Sequence, residues 1–193
     1  MFDDAINGID AANGADPNHE TFEGRAWPKE LLYGQRMTAW LDRLAPNASE
    51  ALRLAARAQH IERWHIPRSD FDLGKKGYHL WRTTLYRYHA ERAALILAAA
   101  GYDAPTIERV GQLLQKKHLR SDSEAQTLED TACLVFLENY FADFSQKYDD
   151  AKIIDIVQKT WAKMSDNGHK AALDLAGQLP ERELKIVQAA LAG

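Results

Sequence analysis

Apolar residues recur three and four apart along almost the whole chain, and no stretch alternates convincingly with a period of two. Such spacing puts one apolar stripe on each of a series of helices. Glycines and prolines fall where the pattern breaks. The reading is therefore all-α. With 193 residues, one domain is the natural expectation, long enough to bury a real core.

Turn and cap residues divide the chain. A short helix is expected over about residues 2–12. "NGADPNHETFEGRAWP" then reads as a loop of turn formers. Pro28 opens the next helix, where its missing N–H removes no hydrogen bond. Asn47, with Glu50 three residues on, reads as the N-cap of a third helix, which ends before Pro67. "RSDFDLGKKG" reads as a loop. A long helix is expected over about 77–100, closed by Gly101. "DAPTIERVGQLLQKKH" is a shorter helix, and "LRSDSEAQ" turns the chain into an apolar helix over about 124–145. Two more helices, about 149–166 and 180–192, are expected, with Asn167-Gly168 and Pro180 as breaks. The organisation read from this is an N-terminal helix and loop (1–28), a helical core (29–145) and a C-terminal helical extension packed on it (146–193).

Composition narrows the partners. A formal charge of −4 gives no general attraction to nucleic acid or an anionic membrane, so neither is expected as a partner. Any anion site has to be a local basic cluster. No apolar run approaches the roughly 20 residues that span a bilayer. "MFDDAINGIDAANG" has no apolar core like that of a signal peptide, and a cytoplasmic location is expected. Cys133 is the lone cysteine, which excludes an internal disulfide and a multi-thiolate metal site. Set in "TACLVFLENYF", it is expected to be buried and inert.

The candidate chemistry begins in "AARAQHIERWHIPR" and extends into the later helices. Of seven histidines, His19 and His169 sit in polar surroundings. His60, His65, His79, His89 and His118 remain. Imidazole and carboxylate are the usual ligands of borderline divalent metals. Asp130, in the otherwise apolar "LEDTACLVFL", is the carboxylate expected to join them, since a charge on such a face is rarely buried unpaired. A basic group, Arg63, Arg68, Lys75, Lys76, Arg82, Lys116 and Lys117, surrounds these histidines in sequence. Arg82 and His89 lie seven residues apart, on one helix face. Trp64, Trp81, Tyr78 and Tyr86 interleave with the cations, and their rings suit a planar ligand. Lys75 and Lys76, in a glycine-bounded loop, would suit a mobile lid.

In order and setting these residues resemble the HD superfamily of all-α, metal-dependent phosphohydrolases. "LLYGQRMTAWLDRL" is similar to its first helix and "ALRLAARAQHIERW" to the helix that carries the His-Asp pair. "HAERAALILAAAGYDAPTIERVGQLLQKKH" resembles the segment with two later histidines, and "LEDTACLVFL" the helix with the final aspartate. The resemblance spans about residues 29–140 and implies an HD-like bundle. It departs at two ligands, with Tyr33 where the family has its first histidine and Ile61 where it has the aspartate of the pair. A second register, with His60 as the first histidine and His89-Ala90 as the pair, keeps His60, His89 and Asp130. More narrowly, "HIERWHIPR", "YHLWRTTL" and "LEDTACLVFLENYF" resemble domain-of-unknown-function family 4202.

The HD resemblance implies metal-assisted hydrolysis of a phosphorylated small molecule such as a nucleotide. His60, His89, His118 and Asp130 would hold a divalent ion (Zn²⁺, Fe²⁺ or Mn²⁺). Arg63, Arg68, Arg82 and Lys116 would bind the phosphate, and Glu62 or Glu129 would act as base. The missing ligands favour an alternative, a degenerate module that binds a nucleotide or other anion without turnover, as a sensor or partner. An oxygenase on the same scaffold is a third option and would require a redox metal.

Overall fold

Side-chain caps at Ser49, Asp103, Asp122, Asp149 and Ser165 set five of the helix starts in the computed structural model, which describes residues 1–119 and 121–192. Helix α1 spans Phe2–Gly14. The segment expected to be a loop is instead an antiparallel hairpin, β1 (His19–Phe22) and β2 (Arg25–Pro28). Its two-residue turn is Glu23-Gly24, with both residues at positive φ, the backbone that fits the twist of a tight hairpin. Four-residue strands are too short for a period-two pattern to stand out.

Pro28 precedes α2 (Lys29–Leu44). Helix α3 (Glu50–Arg57) is capped by Ser49, whose Oγ accepts from Leu52 N–H at 3.1 Å, so the cap is Ser49 and not Asn47. Two short 3₁₀ turns come next, Arg63–His65 and Arg68–Asp70. Helix α4 (Gly74–Ala99) begins three residues earlier than expected and takes Lys75 and Lys76 into its first turn. These lysines are therefore helical and not in the expected loop, which leaves no loop there to serve as a lid. Gly101, at φ +90°, ends this run.

Asp103 caps α5 (Ala104–Leu114). Asp122 caps α6 (Ser123–Asn139); Arg120, in the segment expected to turn the chain, lies outside the described residues. The helix breaks at Tyr140, and α7 (Phe141–Ser145) comes after it. Helices α8 (Asp150–Trp161), α9 (Asp166–Ala176) and α10 (Glu181–Ala192) complete the chain. Asn167-Gly168, expected as a break, lies in the first turn of α9, where Ser165 caps Gly168 N–H at 3.2 Å. Sequence reading missed this helix.

The all-α class holds, with one small hairpin among the described residues. The main core joins Ile9, Met37, Leu41, Leu52, Leu54 and Ile61 to Leu97, Leu113, Leu128 and Leu134. A second cluster, Phe141, Ile153, Ile186 and Val187, ties the C-terminal helices together. Helices α2 and α3 cross closely at Gly34, where a Cβ would sit 2.8 Å from the Arg57 carbonyl oxygen. That crossing brings Tyr33 and the end of α3 to one place. No helix among the described residues is long and apolar enough to cross a membrane.

Candidate functional site

A cavity of about 580 Å³ opens between α2, α4, α6, α8 and the turns after α3 and α5. Such a volume is within the usual range for a small-molecule site. Helix α4 supplies Tyr78, Trp81, Arg82, Tyr86 and His89, spaced to lie on one side of a helix. From α6 come Glu129, Cys133 and Phe136, four and three residues apart. Helix α8 and the turn beyond it add Ile156, Lys159, Thr160 and Lys163.

His60, in the turn after α3, stacks on Tyr33 with ring centroids 3.9 Å apart, and lies 6.1 Å from the ring of His89. Nη1 of Arg63 lies 2.9 Å from Nε2 of His60. Burial and the neighbouring charges of Arg63, Lys116 and Arg82 push the His60 pKa well below its ordinary value, so its ring is neutral at physiological pH. His89 donates from Nδ1 to the Ile61 carbonyl at 2.8 Å. Its Nε2 is then an acceptor. Burial, with His60 alongside, lowers the His89 pKa to about 3. The Tyr33 hydroxyl is pushed upward by burial, which removes the phenolate as a ligand.

Glu30 is a site residue that sequence reading missed. Its Oε2 lies 3.3 Å from Nδ1 of His60, and burial raises its pKa. In sequence it looks like an ordinary first-turn acid complementing the helix dipole. Gln59 also lines the cavity, and its buried Oε1 has no hydrogen-bond partner among the described residues. Its position beside His60 was the only available signal.

Lys116 reaches the cavity by an unusual backbone. The last turn of α5 closes with Lys117 N–H donating to the Gln112 carbonyl, and Lys116 N–H to that of Leu113. This closure places a left-handed residue at the helix end, normally glycine. Here it is Lys116, at φ +55°. Its ammonium bonds the Glu129 carboxylate and lies 5.5 Å from the Tyr86 ring. Burial alone would raise the Glu129 pKa, but the charge of Lys116 and its hydrogen bond hold it below the ordinary value.

Of the residues singled out from sequence, His60, His89, Arg63, Arg82, Lys116 and Glu129 meet at this cavity. The others do not. Asp130 is turned away from the cavity, toward Ser165. Its Oδ1 accepts from Ser165 N–H and from Gln126 at 3.0 Å each, and its Oδ2 from the Ser165 hydroxyl at 2.5 Å. It anchors the start of α9. His118 is exposed at a left-handed turn, φ +58°. Glu62, at φ +51°, is fixed by Arg92 at 2.5 Å and by the Tyr88 hydroxyl at 3.0 Å, and its own N–H donates to Asn13 Oδ1 at 2.9 Å. It holds the connection rather than a substrate. Arg68 is spent on the carbonyls of Phe71 and Asp72, at 2.8 and 2.7 Å.

The expected four-ligand metal set therefore does not assemble. Two histidines share the cavity, while His118 and Asp130 lie elsewhere. Among the described residues, no three histidine, cysteine or acidic side chains are grouped to hold an ion. Cys133 lines the cavity wall instead of lying in the core, and burial pushes its pKa up to about 12. It stays a protonated thiol at neutral pH.

The model of one protein family, Domain of unknown function (DUF4202), matches residues 3–187. The chain belongs to this family. The match takes in α1 and most of α10 as well as the helices around the cavity. Neither a curated protein nor a solved structure matches the chain.

Proposed function

We propose that the cavity binds a phosphorylated small molecule, of which a nucleotide is the best-fitting kind. One observation carries this reading. Five cationic side chains (Arg63, Arg82, Lys116, Lys159 and Lys163) and a single carboxylate, Glu129, line the cavity, and that carboxylate is paired with Lys116. Arg63, Arg82 and Lys163 have no carboxylate partner among the described residues, although the guanidinium of Arg82 is held by the hydroxyls of Tyr78 and Tyr86. Half-buried guanidinium groups with spare donors match phosphate oxygens. Trp81 is fixed by its indole N–H, which donates to the Ile66 carbonyl at 2.9 Å. Arg63 lies over the Trp81 ring at 5.1 Å and Arg82 over the Tyr78 and Tyr86 rings at 5.8 and 5.3 Å, so a base or other planar group would stack on the opposite faces of these rings.

The HD-like reading of the scaffold draws support from Tyr33, His60 and His89, which meet from the segments that the resemblance aligns. The ligand chemistry of that superfamily does not carry over, because the donors present do not fit a divalent ion, so no hydrolytic step is routed through one. Binding without turnover is accordingly favoured. Turnover has one specific observation behind it, the carboxylate of Glu30 beside His60. A carboxylate beside an imidazole is the arrangement of a general base, but the Arg63 guanidinium donates to His60 Nε2 and the lowered pKa makes the ring a weak base, so binding remains the favoured reading.

Calorimetric titration with inorganic phosphate and a nucleoside monophosphate tests the reading. Arg82→Met is expected to weaken binding at least about tenfold, as for the loss of one charge-assisted hydrogen bond. Unchanged affinity in a folded Arg82→Met protein would place the anion elsewhere. Phosphate release from a nucleotide that is abolished in Glu30→Gln and His60→Gln would establish turnover.

A further inference from the structure

The basic cavity borders an apolar cleft. Cys133, Phe136, Ile156 and Thr160 form walls of both. Beyond them the cleft runs between α6 and α8, lined by Leu137, Val157 and Trp161 among others, and its volume is about 50 Å³. It exists because α8 packs chiefly on α10 instead of α6. Its polar groups are few. The Cys133 thiol is protonated, and Thr160 supplies a hydroxyl at the shared rim. Charge is thus confined to one of two adjoining spaces, and the other has almost nothing to solvate a polar group.

We propose that the ligand carries a short apolar group as well as its anion: the phosphate is held by Arg63, Arg82 and Lys116, and an alkyl or acyl branch enters the cleft between α6 and α8. This rests on the anion reading above and adds a second recognition element to it. The cleft's volume limits that branch. A space of about 50 Å³ takes a branch of only a few carbon atoms. A long lipid chain does not. Transfer of each methylene from water into such a space favours binding about fourfold.

Calorimetry on the full chain with inorganic phosphate and then methyl, ethyl, propyl, butyl and hexyl phosphate tests both elements separately. The expected result is binding of inorganic phosphate, affinity rising about fourfold per methylene, and a plateau near butyl. Val157→Phe, which fills the cleft from α8, is expected to abolish that rise. Phosphate binding with equal affinity for every ester would overturn the cleft and leave the anion site standing. A rise that continues undiminished to hexyl would overturn the size limit and mark the gain as general surface adsorption. If no member of the series binds, the anion site fails and the cleft proposal with it.

Discussion

Replacing Asp130 by alanine separates a ligand from a structural anchor. The carboxylate is 2% exposed and accepts three hydrogen bonds, two of them from Ser165 at the start of α9. Gln126 keeps its other bond, to the Lys163 carbonyl at 2.8 Å, so its loss is partly compensated. The Ser165 N–H and hydroxyl lose their acceptor. A hydrogen bond to a charged group contributes roughly 1.5–3 kcal/mol, and removal of the buried charge returns part of its desolvation cost. The net expectation is a loss of about 3 kcal/mol. For a chain of this size that lowers Tm by roughly 6–12 °C.

Asp130→Asn is the sharper comparison. Its amide oxygen still accepts from Ser165 N–H, so about half the loss is recovered. Urea unfolding of both variants, with phosphate titration beside it, is the assay. The anchor role requires a large loss for alanine, a smaller one for asparagine, and phosphate affinity within about twofold of the parent for whichever variant remains folded. An alanine variant with nearly parental stability and lost phosphate binding would refute the assignment and return Asp130 to the cavity.

Four further outcomes are expected. Gly168→Ala puts a Cβ 2.7 Å from the Asp130 carboxyl carbon, so it should destabilise by about 1–3 kcal/mol; a neutral result in urea would mean that α9 moves freely. His89 has a folded pKa of about 3, below the unfolded value of about 6.5, so the unfolded chain takes up the proton first. Its stability contribution is therefore complete above about pH 6.5 and is lost as pH falls toward 3, and urea midpoints between pH 7 and 4 should fall less steeply in His89→Gln than in the parent. Cys133, with its pKa up at about 12, should react with a thiol reagent at pH 8 far more slowly than the unfolded chain; equal rates would contradict its burial. Calorimetry with Zn²⁺ or Mn²⁺ should show no site that disappears in His60→Ala, and a tight one that does would restore the metal reading.

Much of the helical frame was legible because it rests on local chemistry: stripes of apolar residues, Pro28 before α2, Gly101 after α4. What escaped was decided by small differences. Asn47 and Ser49 are both good caps, and only the path of the chain selects Ser49. Asn167-Gly168 is a turn-former pair that a cap at Ser165 turns into helix. The hairpin is too short to show a period.

The site divides along the same line. The arginine and histidine of α4 were legible as one face, because seven residues make two turns. The choice between Glu129 and Asp130 was not. Neighbouring residues on a helix point about 100° apart, and both acids lie in one apolar sequence. The roll of α6 turns Glu129 toward Lys116 and Asp130 toward Ser165. Each acid is then explained by its partner, and neither is left over for an ion. The resemblance aligned Asp130 by its place in the motif. A one-residue difference in which acid faces the cavity puts an ammonium–carboxylate pair where an acidic ligand was expected. His118 is lost from the set as well, so of the expected ligands only His60 and His89 line the cavity, among five cationic side chains and one carboxylate.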